Sequence, residues 1–172
     1  MNCYIISGGI SGAITDPYSF EAQTHAQMYY EEIRHRTDDI EKIAKNTGFT
    51  PDQVRLVKKY LFFDEHLLLG KIKRFDENFH IAESWQRLAD MPEYIQQHDK
   101  LLIPHELKEM SLICNGFSQD EAHKLASEEF NYMKESADFY EGLEIEGKIY
   151  KTNEVKELEK NISRNDYDDL EL

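Results

Sequence analysis

Two four-residue boxes constrain this chain more than any other feature: Thr50-Pro-Asp-Gln53 and Ser118-Gln-Asp-Glu121. In each, a hydroxyl residue stands three places before a Gln or Glu. The hydroxyl can accept from the backbone of the fourth residue while the fourth side chain reaches back, which closes a helix start from both sides. The stops are as regular. Thr47-Gly48 and Asn115-Gly116 place a glycine where a helix can end in left-handed backbone, and Asp90-Met-Pro92 ends one by withholding a donor. Between these marks apolar residues recur at helical rather than alternating spacing. The chain is therefore expected to be mainly α: a compact single-domain orthogonal bundle of about five to six helices over residues 1–142, with at most a short strand or hairpin near residues 3–7 and 67–75.

Asp16-Pro17 reads as the cap and first position of helix one, whose good helix formers run from Glu21 to about Arg36. A second helix spans Ile40 to Asn46, and a third runs from Pro51 through Leu61 and Phe62. Asp76 is expected to cap a fourth from Phe79 to Leu88 or Ala89, with Ile81, Trp85 and Leu88 on one face. Asp99 caps a fifth, which either kinks at Pro104 or begins there. The sixth is expected to run unbroken from Gln119 to about Tyr140, stopped by Gly142. Residues 141–172 carry 10 acidic against 5 basic side chains, so 143–172 reads as an acidic, partly disordered tail. The glycine-rich stretch Ser7 to Gly12 lacks the Gly-Lys-Ser/Thr ending of a P-loop and reads as a plain loop.

With 172 residues, 40% of them hydrophobic, the chain can bury one real core. Its net charge of −14 argues against general nucleic-acid binding, which rests on Lys and Arg neutralising phosphates. The charge is uneven: residues 1–63 hold 7 Lys+Arg against 8 Asp+Glu, and residues 64–172 hold 13 against 26. Residues 38–63 resemble a helix-turn-helix corner. Nucleic acid is therefore expected to be engaged, if at all, only through residues 34–60. Asp52 stands where a recognition helix would meet bases and phosphates, so a corner packed on the core is the favoured reading. No apolar run approaches the roughly 20 residues of a membrane span, and Met1 to Ser7 lacks the basic start of a signal peptide. A cytoplasmic protein with reduced Cys3 and Cys114 is expected, with another protein as its partner.

Chemistry concentrates in His98 to Met110. Placed on a helical wheel at about 100° per residue, Ile103, Leu107, Met110 and Cys114 form an apolar stripe widened by Leu102 and Ile113. Glu106 falls between those groups and Glu109 at their edge. Burying an ionised carboxylate costs several kcal/mol unless it is paired, hydrogen-bonded or metal-bound. The wheel of residues 119–140 puts Glu129 inside a second apolar stripe and His123 at its border. Glu106, Glu109 and Glu129 are thus expected to converge between the last two core helices, with His105, His123 and Arg87 as partners. His105, Glu106, His123 and Arg87 are the candidate catalytic residues. His105, Glu109 and His123 are the candidate ligands for a divalent metal; no other cofactor is indicated. His-Glu-Leu-Lys-Glu109 resembles the zinc-protease pattern His-Glu-x-x-His, with glutamate in place of the second histidine. A metal-free histidine–carboxylate catalyst and a structural polar network are the competing readings. Asp64 with His66, and His98 with Asp99, read as caps or surface groups.

The succession Ser11-Gly12, Tyr29-Tyr30, Ile43 to Gly48, Asp64 to His66, Ala82 to Leu88, His98-Asp99, His105-Glu106, Glu121 to His123 and Asn131-Tyr132 resembles a helical module. That module ends phage head-morphogenesis proteins and toxin-like proteins of Gram-positive bacteria. The resemblance covers roughly residues 7–140 and departs from the module's pattern at Pro104. It carries no settled activity, but where toxin-like proteins end in such modules the module is often a nuclease or other effector. The expected function is a phage- or toxin-associated hydrolase or nuclease acting through a buried His/Glu site. The alternatives are a non-catalytic protein-interaction module and a helix-turn-helix DNA-binding protein.

Overall fold

A computed structural model of the protein describes residues 16–144. The expected strand near residues 3–7 and the acidic tail from 145 onward lie outside the described residues, as does Cys3. Seven α-helices occur among the described residues: α1 (Phe20–His35), α2 (Asp39–Thr47), α3 (Pro51–Phe62), α4 (Phe79–Asp90), α5 (Asp99–Cys114), α6 (Gln119–Glu129) and α7 (132–144). A short antiparallel hairpin, β1 (His66–Leu68) and β2 (Lys71–Lys73), joins α3 to α4, with Leu67 opposite Ile72. The mainly helical expectation and the hairpin near 67–75 are both met.

Both capping boxes form. Thr50 Oγ1 accepts from the Gln53 N–H at 3.2 Å while Gln53 Oε1 takes the Thr50 N–H at 3.0 Å. Ser118 and Glu121 make the same exchange at α6. Gly48 ends α2 at φ 82°, left-handed backbone that favours glycine. Two expected caps are displaced toward the helix. Ser19, rather than Asp16, caps α1 by accepting from Ala22, because Asp16 is used in a turn against the Tyr18 N–H. Asn78, rather than Asp76, caps α4 by accepting from Ile81.

α4 is the central element, buried on nearly every side, and it packs against α1, α2 and α5. Trp85 is its anchor. The indole meets Phe62 edge-on at 5.1 Å, Phe62 in turn meets Tyr30 at 4.8 Å, and the indole N–H donates to Asp39 at 2.9 Å. Asp39 is fully buried on α2 and also takes Lys58 Nζ at 2.8 Å, which locks the α2–α3 corner to α4. The basic residues around that corner are largely engaged by carboxylates: Arg36 and Lys42 on Asp38 and Asp90, Arg55 on Asp52, Lys59 on Asp64.

Two helices differ from expectation. α5 runs continuously through Pro104, and its buried face is the Leu102–Ile103–Glu106–Glu109 side, with Leu107, Met110 and Ile113 half-buried and Cys114 exposed. The helix expected over residues 119–140 is two helices. Phe130 adopts φ −129° and ψ 84°, α6 ends there, and Asn131 starts α7 by accepting at its carbonyl from the Glu135 N–H at 3.1 Å. Asn is a favoured helix start because its side chain competes with helical backbone bonding. α7 then continues through Gly142 to residue 144. The break rotates α7 relative to α6, so Ser136 is buried and Glu129 is exposed, paired with Lys108 at 2.8 Å.

Candidate metal centre

α5 and α6 form an antiparallel pair joined by the tight turn at Asn115–Phe117, and the site lies between them. His105 and Glu109 are one turn apart on α5, so their side chains share a face. His123 reaches that face from α6. Glu109 Oε2 stands 2.8 Å from His123 Nδ1 and 3.5 Å from His105 Nε2. One donor atom from each of the three residues lies within 4.8 Å of the others. Tetrahedral zinc with donors at about 2.0–2.1 Å holds neighbouring donors about 3.3 Å apart. The three groups are thus close to a ligand arrangement before any ion arrives.

Groups behind the three residues hold them in that pose. His105 Nδ1 donates to the Phe130 carbonyl at 2.8 Å, which leaves the Nε2 lone pair directed at Glu109. The other carboxylate oxygen, Glu109 Oε1, is occupied by the Tyr60 hydroxyl at 2.6 Å and by the Gln119 amide. Gln119 also donates to the Tyr60 oxygen at 2.7 Å. Such outer contacts set the tautomer and orientation of metal ligands. Tyr60 carries no signal in the sequence beyond the need of a buried phenol for a partner. Gln119 does carry one, standing four residues before His123 on the same helix face.

The electrostatics follow from the geometry. Burial pushes the Glu109 carboxyl up, but the hydrogen bonds from His123 and Tyr60, with the His105 ring beside the same oxygen as His123, outweigh it and hold the group at about 2. His123, about half exposed, is raised chiefly by its bond to that carboxylate. Glu106 is buried on the same face with no hydrogen-bond or ion-pair partner among the described residues. Desolvation, reinforced by the Glu109 charge, holds its carboxyl well above the ordinary range.

The three candidate ligands and Glu106 open onto a cleft of about 440 Å³. Its walls include Leu61 of α3, Leu68 of β1, Ile81 of α4 and Tyr132 and Met133 of α7, and Asp76 and Asp120 stand at its rim. A cleft of this volume is in the range of small-ligand sites.

Arg87 is elsewhere. It is fully buried, and it grips Asp99 through Nε at 2.7 Å and Nη2 at 2.8 Å. Asp99 also accepts from Ser84 Oγ at 2.6 Å and from the Gln96 N–H at 2.7 Å, while Arg87 contacts His98, Tyr140 and Glu83. The guanidinium fork matches the carboxylate at the start of α5, and the cluster clamps α4, α5 and α7 together. His98 and Asp99 therefore belong to a buried core network rather than the surface. Arg87 and Glu129 are absent from the site that sequence reasoning assigned to them, while His105, Glu106, Glu109 and His123 are brought together.

Comparison with known proteins finds no matching family model, no matching curated protein and no matching solved structure.

Proposed function

We propose that the protein is a metal-dependent hydrolase in which His105, Glu109 and His123 hold a divalent cation, best suited to zinc by two imidazoles and one carboxylate. One observation carries this reading: three donor atoms within 4.8 Å of one another on the wall of an open cleft that also contains Glu106. The bound ion would polarise the substrate and acidify a coordinated water. Glu106, next in sequence to His105 and lining the same cleft, would carry a proton from that water to the leaving group, the charge of the cation favouring the ionised carboxylate that burial and Glu109 disfavour. Burial of His105, Glu106 and Glu109 strengthens the electrostatic part of these interactions. The resemblance to modules ending phage head-morphogenesis and toxin-like proteins supports an effector role. DNA reading by the α2–α3 corner is disfavoured, since most of its basic side chains are engaged by carboxylates.

Calorimetric titration of the metal-free protein with zinc is the test. One equivalent should bind, His105→Ala and His123→Ala should abolish binding, and Glu106→Gln should retain it while losing zinc-dependent hydrolysis of an activated ester. Less than a tenth of an equivalent bound would overturn the proposal.

A further inference from the structure

We infer that the bond cleaved at this site is the amide of an extended polypeptide, bearing an apolar side chain in the cleft and a Lys or Arg facing Asp120; this rests on the hydrolase reading above. Two independent features of the cleft point there.

The first is its charge and lining. Among the described residues no Lys or Arg lines it, whereas Asp76, Asp120, Glu106 and Glu109 do. Lys73 is tied to Asp76 at 2.7 Å, whereas Asp120 is exposed and has no hydrogen bond or ion pair among the described residues; its charge bears on His123, and it is the rim carboxylate open to a cation. Enzymes that hold a phosphodiester backbone line its path with positive charge, and this cleft does the reverse. A neutral amide meets no such repulsion, and Leu61, Leu68, Ile81 and Met133 offer an apolar wall to a neighbouring side chain.

The second is the hairpin. β1 contributes Leu68 to the cleft wall, and among the described residues β1 and β2 pair only with each other. β1 therefore has an edge beside the site that pairs with no strand among the described residues. An extended peptide supplies the alternating main-chain donors and acceptors that such an edge accepts, with side chains on alternate faces. A nucleic acid supplies neither. In the reaction, the water oxygen bonds to the amide carbonyl carbon and the amide C–N bond breaks. Glu106 passes the proton it took from the water to the leaving nitrogen, giving a carboxylic acid and an amine, and the second water proton then moves from the acid to the amine, leaving a carboxylate and an ammonium.

The experiment uses the full chain loaded with one equivalent of zinc. It is incubated with a mixture of internally quenched peptides and, in parallel, with bis(p-nitrophenyl) phosphate and a single-stranded RNA. Peptide cleavage beside an apolar residue is expected, lost at least 100-fold in Glu106→Gln with zinc stoichiometry unchanged. Asp120→Lys should lower the kcat/KM ratio of basic to acidic peptides at least tenfold. Zinc binding with phosphodiester cleavage and intact peptides, or with no cleavage at all, would overturn the inference while leaving the metal site standing. A preference for basic peptides that survives Asp120→Lys would overturn the role given to the rim. Failure to bind zinc would overturn the hydrolase reading itself.

Discussion

The main-chain carbonyl of Phe130 accepts a hydrogen bond from His105 Nδ1 at 2.8 Å, and this contact joins a helix break to the geometry of the site. In an unbroken helix the Phe130 carbonyl would accept from the amide four residues on. With α6 ended at Glu129, it is turned instead to His105 and, at 2.8 Å, to the Tyr132 N–H.

A carbonyl can only accept, so the neutral His105 ring carries its proton on Nδ1 and presents an unprotonated Nε2 to Glu109. Nitrogen-15 NMR of the imidazoles should show this tautomer in the metal-free protein, and zinc titration should move the His105 Nε2 resonance while Nδ1 stays protonated. A dominant Nε2–H tautomer would sink the assignment of His105 as a ligand.

Tyr60 and Gln119 fix one oxygen of Glu109 so that the other faces both imidazoles. Tyr60→Phe keeps the ring packing against His66 and Phe75 and removes only the hydroxyl. Losing an outer contact of this kind typically costs about 10- to 100-fold in metal affinity, against about 1 kcal/mol of fold stability for one hydrogen bond. Zinc affinity by calorimetry and stability by urea titration should divide that way. Unchanged affinity with lowered stability would make Tyr60 a packing residue.

The α-helical architecture is legible in the sequence because its signals are local: hydroxyl–glutamate boxes and glycine stops act within four residues. The site is only half legible. The wheel of α5 correctly sets Glu106 and Glu109 near a buried face, yet of the stripe it favours only Ile103 is buried, while Leu107 and Met110 are half-buried and Cys114 is exposed. What turned the helix is tertiary: Tyr60, Gln119 and His123 supply partners for Glu109, so its polar edge can go inward at little cost. Arg87 was the natural partner for any buried carboxylate, but nothing in sequence spacing separates Glu106 from Asp99. The break at Phe130 is the costliest omission, since reading through it carries Glu129 into the core and hides the carbonyl that orients His105.

Arg87 and Asp99 are both fully buried, so the consequence of separating them is structural rather than catalytic. Arg87→Met leaves Asp99 charged and without its fork, a change that typically costs about 3–5 kcal/mol. Arg87→Lys should rescue little, because an ammonium cannot reproduce two parallel bonds. Asp99→Asn added to Arg87→Met should recover part of the loss, since no charge is then left buried, although the Ser84 hydroxyl and Gln96 N–H meet different oxygens and only one of them keeps its acceptor. Urea titration of the parent, Arg87→Met, Arg87→Lys, Asp99→Asn and the double variant checks this, and an additive double variant would refute the pairing as the source of the cost.

His80 sets an acid limit on stability. Burial, with His98 and Arg87 adding to it, lowers its folded-state value from 6.5 to about 4, and Nδ1 lies 2.7 Å from Ser136 Oγ on α7. As pH falls through 6.5 the unfolded chain takes up this proton and the folded chain does not. The contribution of this group to stability therefore falls between pH 6.5 and 4, by at most about 1.4 kcal/mol per pH unit, while Glu106 and His123, both raised, act with the opposite sign. Asp99, lowered to about 2 against the burial that pushes it up because Arg87 and His98 bond it, acts with the same sign but only below 3.8, outside that window. His80→Asn keeps a polar group near Ser136 and removes the titration. From pH 7 to 4.5 the urea midpoint of the parent protein should change less favourably than that of the variant, whatever the stability of the variant at pH 7. Equal slopes in the two proteins would show that His80 is not the titrating group.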